Sequence, residues 1–162
     1  MAVLAFGRVG CIKTFWRDIK MNADQFVKAF TPLANRMAEV YKVPALVILT
    51  IGGVESQWGQ KAHANNYFGM TAGNNYSGKT VVLTNKSTGK KYTFRAYDTV
   101  EQGFEDFCRN LANSNRYQDA FDYIHSPETF IKKMIEGGYN SENPNYYSFC
   151  LSILKSVKKR VQ

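Results

Sequence analysis

The sequence predicts a mostly helical α+β fold with one small β-hairpin, formed by a single domain over residues 1–162. Apolar residues recur at helical spacing along most of the chain, as they do in amphipathic helices that share a core. Two β-branched and aromatic runs, 80–84 and 92–97, flank a short polar loop, which is the pattern of a hairpin. The composition, 44% hydrophobic and 14% aromatic, is sufficient for a buried core.

Several helices are marked by the residues at their ends. Asn22 with Gln25, and Thr99 with Gln102, have the spacing of capping boxes and predict a helix start at each position. Pro32 lies within the first helix, so we expect a kink or two helices that meet there. The other predicted helices are one that begins at Pro44, then 117–124, one from Ser126-Pro127 to Gly137-Gly138, and 144–159 with Tyr147, Leu151, Leu154 and Val157 on one side. Residues 1–20 show no clear period and are expected to pack on the body as an N-terminal extension.

The central feature is an apolar helix that ends on one carboxylate, Glu55. Residues 45–51 are apolar on nearly every side, and Gly52 and Gly53 allow close packing just before Glu55. Trp58 follows three positions later. Burial disfavours the charged form of a carboxyl group and raises its pKa, so such a group can hold a proton near neutrality and donate it. Glu55 is therefore a candidate general acid for cleaving a glycosidic bond; the alternative is a surface glutamate at a helix end.

The charge is strongly positive and unevenly distributed. The chain carries 21 Lys and Arg against 13 Asp and Glu, a formal net charge of +8. No acidic residue occurs from residue 56 to 97, whereas six cations do: Lys61, Lys79, Lys86, Lys90, Lys91 and Arg95. This excess favours an anionic partner, such as a nucleic acid, an acidic membrane or a bacterial cell wall. No apolar run approaches the roughly 18 to 20 residues of a membrane span.

Cysteines and histidines indicate no metal site. Cys11, Cys108 and Cys150 allow one disulfide at most, and their spacing matches no metal site, so we expect them to act as buried small apolar residues. His63 and His125 are too isolated to complete a metal site, so we expect neither a metal nor a cofactor. The first twelve residues lack the order of a signal peptide. If the protein works outside the cytoplasm, something other than this segment is expected to export it.

Six short motifs follow one another in order along the chain. They are Val43-Pro44, Val54-Glu55-Ser56-x-Trp58-Gly59, Asn65-Asn66-Tyr67-Phe68-Gly69, Phe94-Arg95-x-Tyr97-Asp98, Asn115-Arg116-Tyr117 and Gly138-Tyr139-x-x-x-x-Pro144-x-Tyr146. Together, over about residues 25–155, they resemble the glucosaminidase family of peptidoglycan hydrolases, glycoside hydrolase family 73. The family includes flagellar rod-cap domains, autolysins and phage lysins. The resemblance implies a lysozyme-like helical body with a small β-lobe and with the acid at the end of a central helix.

The resemblance also implies roles for particular residues. Glu55 would be the general acid that protonates the oxygen leaving N-acetylglucosamine, in an apolar setting shaped by Trp58 and Phe68. Asn66 would lie in the cleft, and Tyr117 would place a hydroxyl near the reacting N-acetyl group. Tyr97 and Tyr139 would line the groove, although both are equally compatible with the core.

One departure from the family pattern concerns the second carboxylate. Family members commonly carry one in the β-lobe, where this chain has Thr84, Asn85 and Lys86. Asp98, at the exit of the hairpin, is the nearest candidate; otherwise it is a turn or capping residue. Two mechanisms stay open: attack by the 2-acetamido group of the substrate, oriented by neutral groups, or attack by a water molecule from the opposite face.

The expected partner is therefore the glycan strand of peptidoglycan, cleaved after N-acetylglucosamine by a monomer that acts on the bacterial cell wall. Delivery by a phage or a secretion machine would suit the N-terminal sequence. A lytic transglycosylase on the same fold is a neighbouring alternative. A non-catalytic module that binds wall glycan through its basic hairpin is another, and nucleic acid is a weaker candidate because no nucleic-acid motif accompanies the charge.

Overall fold

The computed structural model describes residues 21–162. The predicted N-terminal extension, 1–20, and Cys11 lie outside this range. The helices are α1 (Ala23–Tyr41), α2 (Ala45–Ser56), α3 (Val100–Asn113), α4 (Pro127–Glu136) and α5 (Tyr146–Val161), with a 3-10 helix at Asn115–Tyr123, and the strands are β1 (Thr80–Thr84) and β2 (Lys91–Arg95). The prediction of a mostly helical α+β fold with one small hairpin is confirmed.

Both predicted capping boxes are present. Asn22 Oδ1 accepts from the backbone N–H of Gln25 at 2.9 Å, and the side chain of Gln25 accepts in return from Asn22 N at 3.0 Å. Thr99 and Gln102 form the same pair at the start of α3, at 3.2 and 3.3 Å. Each box satisfies backbone N–H groups that the first helical turn leaves without a partner.

At Pro32 the prediction of two helices is wrong, because α1 runs through it as one helix. Proline removes one donor, so the carbonyl four residues earlier, that of Lys28, loses its helical partner. Both residues are exposed, so water can satisfy this carbonyl. One residue earlier, Thr31 Oγ1 donates to the carbonyl of Val27 at 2.6 Å.

The C-terminal half differs from the prediction in two details. The segment 115–123 is a 3-10 helix, and α5 begins at Tyr146. The buried side of α5 consists of Tyr146, Cys150, Leu154 and Val157, whereas Tyr147 and Leu151 are half-buried and pack against the core from the edge of this side. Apolar residues at both 146–147 and 150–151 make the two stripes equally regular in sequence, and packing selects one of them.

The core is organised around α2, which packs against α1 and α5. Every residue from Val47 to Gly53 is buried, and Phe26, Phe104, Phe107 and Phe130 surround the helix with buried rings. Each such ring stabilises the fold by about 1.5–3 kcal/mol relative to exposure. Cys108 and Cys150 are buried free thiols, as predicted for them, and burial raises their pKa to about 12 and about 11.

The hairpin lies beside the chain segment that follows α2. β1 and β2 are antiparallel, with Thr80 opposite Arg95 and Val81 opposite Phe94. Segment 70–72 adds a further backbone contact to β2: Arg95 N donates to Met70 O at 2.9 Å, and Ala72 N donates to Thr93 O at 3.0 Å. The hairpin is thereby joined to the part of the chain that approaches Glu55. Over the range described, no helix is both long enough and apolar enough to cross a membrane.

Candidate active site

Glu55 lies in the last turn of α2, where the helix ends abruptly. Gln57 and Trp58 both have left-handed backbone conformations, with φ of 50° and 58°, and Gly59 follows at 86°. Ser56 Oγ donates to Gly52 O at 2.6 Å and accepts from Gly59 N at 2.8 Å, which fixes the reversal of the chain. The side chain of Glu55 is consequently held at the end of a rigid, buried helix, partly exposed.

The two oxygens of Glu55 have different surroundings. Tyr146 Oη donates to Oε1 at 2.6 Å, and Asn140 Nδ2 donates to the same atom at 2.9 Å. Oε2 accepts no hydrogen bond from any described residue. It faces Gly69, where an added Cβ would stand 3.5 Å away. Gly69 has φ of +60°, which disfavours a side chain here, so this approach to Oε2 stays open.

The environment of Glu55 favours its protonated form. Burial is the largest influence and raises the pKa of this carboxyl, while the hydrogen bonds from Tyr146 and Asn140 lower it to a smaller extent. The net effect is a raised pKa for Glu55. A group with this balance keeps its proton to a higher pH than an exposed carboxyl does and, once ionised, is stabilised by two donors that are already in position.

A row of tyrosines leads from Glu55 to the Asn-Arg-Tyr motif. The ring of Tyr146 lies 6.2 Å from that of Tyr139, which lies 6.2 Å from that of Tyr117 in an edge-to-face arrangement. Burial raises the pKa of Tyr146 and Tyr139 above its ordinary value, and the charge of Glu55 adds to the effect. These hydroxyls therefore stay neutral, and that of Tyr146 donates a hydrogen bond to Glu55.

The turn that carries Asn140 is held by the same motif. Arg116 Nε donates to Gly137 O at 2.9 Å, and the guanidinium lies 5.4 Å from the ring centre of Tyr117. A Cβ at Gly137 would collide with the backbone carbonyl of Arg116, and Gly138 has φ of +106°. Both glycines are needed for this close approach. The turn then places Asn140, itself left-handed at φ of 47°, beside Glu55.

Trp58 and Phe68 pack on the core beside α2. The six-membered ring of Trp58 lies against Gly53, and its indole meets Phe26 edge to face at 5.7 Å. Phe68 is 3% exposed and stacks on Phe107 at 4.0 Å. Their contacts are those of core residues near the site.

Asn66 and Tyr97 connect the lobe to the body. Asn66, 7% exposed, donates to Met70 O and Arg95 O at 3.0 and 2.9 Å and accepts from Met70 N. Tyr97 Oη donates to Asp106 Oδ2 at 2.5 Å, and Arg95 Nη1 meets the same oxygen at 2.9 Å. These bonds fix the position of the hairpin relative to α3.

The structure supplies no second carboxylate to Glu55 from the residues described. Asp98 forms an exposed ion pair with Lys79 at 2.7 Å. No acidic side chain contributes to the raised pKa of Glu55: burial raises it, and the two neutral donors, Tyr146 and Asn140, lower it to a smaller extent. Within residues 21–162, no group of three or more His, Cys, Asp or Glu side chains is arranged to hold a metal ion.

Two residues that touch Glu55 were missed by the sequence analysis. Tyr146 closes the sixth motif, but its position 91 residues from Glu55 hides the contact. Asn140 occupies an unspecified position in that motif, and no sequence signal singles it out. The packing of α5 on α2 brings Tyr146 to the acid, and the turn after α4 brings Asn140.

A helical body, a small hairpin lobe and a partly buried carboxyl at the end of the central helix together define a lysozyme-like glycoside hydrolase. Residues 31–159 match the model of the glucosaminidase family, described as mannosyl-glycoprotein endo-beta-N-acetylglucosaminidase. The chain belongs to this family, and the resemblance carried by the six motifs is confirmed.

The known proteins of similar sequence and fold include peptidoglycan hydrolases and a glycoside hydrolase domain. The peptidoglycan hydrolase FlgJ of Pseudomonas aeruginosa is 30% identical over 138 residues, which cover 77% of this chain and 34% of that protein. The crystal structure of a peptidoglycan hydrolase from Sphingomonas sp. A1 is 28% identical, has a TM-score of 0.75, and is matched over 85% of this chain and 92% of that one. The glycoside hydrolase domain of Salmonella typhimurium FlgJ shares the fold at a TM-score of 0.74 and 24% identity, over 86% and 90%. The chain spans about a third to a half of the curated relatives it matches.

Proposed function

We propose that this chain is an endo-β-N-acetylglucosaminidase that hydrolyses the glycan strands of peptidoglycan after N-acetylglucosamine. Family membership supports the reaction class, and relatives named peptidoglycan hydrolases support the substrate. The observation that carries the proposal is the geometry of Glu55. Its pKa is raised by burial, one oxygen is fixed by two donors, and the other faces the open side of Gly69.

In the first step, Glu55 donates its proton from Oε2 to the glycosidic oxygen that leaves N-acetylglucosamine. As the proton departs, negative charge develops on the carboxylate. Tyr146 and Asn140 already point at Oε1, so they stabilise this charge without any rearrangement. General acid catalysis of this kind contributes about 10²- to 10⁴-fold to the rate.

The second step proceeds without a carboxylate from the β-lobe. In the substrate-assisted form, the 2-acetamido oxygen, oriented by Tyr117 at the far end of the tyrosine row, attacks the anomeric carbon as the protonated glycosidic oxygen leaves. Water then opens the cyclic intermediate and returns a proton to Glu55. In the other form, a water molecule held by neutral side chains attacks from the opposite face. NMR of the fresh product separates the two, because retention of the anomeric configuration excludes direct attack by water.

Digestion of purified peptidoglycan, followed by mass spectrometry, tests the proposal. Wild type is expected to release fragments with N-acetylglucosamine at the reducing end, and Glu55→Gln is expected to release none at a comparable rate. Anhydro-muramic ends would identify a lytic transglycosylase instead. An inactive wild type that still sediments with insoluble wall would identify a binding module.

The remaining site predictions belong to the same proposal. Trp58 and Phe68 support the acid from the core side, while Asn66, Tyr97 and Tyr139 shape the groove in which the glycan strand binds. Asp98 has the weakest support, since its ion pair with Lys79 is exposed.

The chain, residues 1–162, acts in this proposal as one catalytic domain at the bacterial cell wall. A monomer suffices, because Glu55 and both of its donors come from one copy. Delivery by a phage or a secretion machine stays a prediction from the sequence.

A further inference from the structure

The outer end of the β-hairpin is cationic, and the mechanism above does not use it. Lys86, Lys90 and Lys91 are all exposed there. Within residues 21–162, none of the three has a carboxylate partner. By contrast, the hairpin cations nearer the body are ion-paired: Lys79 with Asp98 at 2.7 Å and Arg95 with Asp106 at 2.9 Å. The uncompensated charge is therefore concentrated at the outer end.

An aromatic track leads inward from these lysines. Lys90, Tyr92 and Phe94 alternate along the chain, so they share one face of the hairpin. The ammonium of Lys90 lies 5.1 Å from the ring centre of Tyr92, and that ring lies 6.4 Å from the ring of Phe94. Tyr92 is 39% exposed, and none of the three residues belongs to the hydrophobic core formed by the described residues.

The spacing of residues along the hairpin gives an approximate distance from Glu55 to the lysines. Gly69 faces Glu55 Oε2, and Thr71, two residues on, is paired with Phe94 of β2. Lys91 lies three residues further out on β2. Five residue steps at about 3.4 Å each place the lysines about 17 Å from the level of Gly69. Only an extended polymer can contact Glu55 and these lysines at once.

We propose that Lys86, Lys90 and Lys91 bind the carboxylates of the peptide stems attached to the glycan strand. The proposal rests on the hydrolysis of peptidoglycan proposed above. A glycan backbone is largely neutral, whereas its peptide stems carry carboxylates at intervals along the strand. The ammonium groups at the outer end complement those charges, and Tyr92 offers an apolar surface to the strand between them. The absence of acidic residues from 56 to 97 means that nothing in the lobe opposes this attraction.

The consequence is a preference among substrates. Strands that carry peptide stems should bind more tightly than strands from which the stems have been removed. Because the contacts are exposed ion pairs, the preference should shrink as salt concentration rises.

The test compares three proteins on two substrates. The hairpin variant Lys86→Gln/Lys90→Gln/Lys91→Gln is matched by a control variant, Lys28→Gln/Lys132→Gln/Lys155→Gln. The control removes the same charge from exposed helix positions that form no salt bridge with a described carboxylate. The substrates are stem-bearing strands and strands stripped of peptides by an amidase. KM and kcat are measured at low and high salt, and thermal melting confirms that each variant is folded.

The expected result is a KM about tenfold higher for the hairpin variant on stem-bearing strands at low salt. On stripped strands, or at high salt, the three proteins should have the same KM. An equal loss on both substrates, or an equal loss in the control variant, would overturn the proposal. In two added binding assays, a hairpin variant that weakens only on walls rich in phosphate polymers, or wild type that prefers duplex DNA to stem-bearing strands, would also overturn it. Failure of wild type to cleave either substrate would instead overturn the proposed function.

Discussion

The two oxygens of Glu55 divide two tasks between them. Oε1 receives both hydrogen bonds and fixes the orientation of the carboxyl, whereas Oε2 is left to hold and release the proton. The charged and neutral forms of the group are therefore stabilised by different parts of the site: donors for the first, burial for the second.

This arrangement predicts a pH-dependent stability difference between wild type and Glu55→Gln. The pKa of Glu55 is raised above 4.5 in the folded state, so its folded form binds a proton more tightly than its unfolded form. The stability that this contributes is complete below the ordinary carboxyl pKa and is lost as pH rises through the raised value. In thermal melting from pH 4 to pH 8, the melting temperature of Glu55→Gln is expected to rise relative to that of wild type as pH increases. Parallel curves over that range would contradict the raised pKa.

A second prediction concerns Tyr146→Phe, which removes the shorter of the two bonds to Oε1. Since that bond lowers the pKa of Glu55, its loss should raise the pKa further and shift the basic limb of the pH–rate profile upward. It should also lower kcat about tenfold, because the carboxylate that forms loses a donor. Both effects are read from kcat measured across pH.

Tyr147→Phe is the matched control. The neighbouring hydroxyl contacts the carbonyl of Glu128 at 3.4 Å and does not touch Glu55. Its profile should overlay that of wild type. If the two variants behaved alike, the contact with Oε1 would have no part in the reaction.

At the level of elements, one glycine sets the packing of α3 on the loop that follows α2. A Cβ at Gly103 would collide with the backbone carbonyl of Asn65, and the side chain of Asn65 donates to Tyr97 O at 2.9 Å. The loop and the start of α3 are therefore in direct backbone contact. This contact holds the chain between Glu55 and the hairpin in place.

Gly103→Ala is expected to destabilise the fold despite the better helix propensity of alanine. Forcing the loop away from α3 should lower the free energy of unfolding by about 1–3 kcal/mol and the melting temperature by about 5 °C. Gly73→Ala is the control, because nothing lies within 4 Å of its Cβ. Equal melting temperatures for wild type and Gly103→Ala would show that the loop can move aside freely.

The sequence was sufficient for elements whose signals are local. The capping boxes at Asn22 and Thr99 each lie within four residues and were predicted correctly, as was the hairpin. Glu55 stood out because it ends an apolar helix. The contact of Tyr146 with Glu55 depends on which stripe of α5 is buried, and two stripes were equally regular. That choice is made by tertiary packing, so the sequence did not reveal it.

On the scale of the whole molecule, the lobe and the body are tied together by one acidic residue. Asp106 on α3 receives Arg95 Nη1 and Tyr97 Oη on the same oxygen, and Asn110 donates to its other oxygen at 3.1 Å. The Arg95 and Asp106 side chains are only 18% and 17% exposed. Removing one charge from a partly buried ion pair lowers the free energy of unfolding more than removing one from an exposed pair.

Asp106→Asn is accordingly expected to lower the melting temperature by several degrees and to raise KM for peptidoglycan strands, as the lobe loses its fixed position. Glu101→Gln is the comparison, since its ion pair with Arg36 is more than half exposed on both sides and should be worth little. Calorimetry and steady-state kinetics on the two variants check this. If the two variants were equally stable, the contacts of Asp106 would not be what anchors the lobe.

The central claim is that Glu55 alone, kept protonated by its own burial, is the proton donor. A direct measurement is the titration of its side-chain carboxyl by carbon-13 NMR, assigned by comparison with Glu55→Gln. The expected result is a midpoint above the ordinary carboxyl range that coincides with the basic limb of the pH–rate profile. A midpoint at or below 4.5, with activity persisting at neutral pH, would contradict the claim.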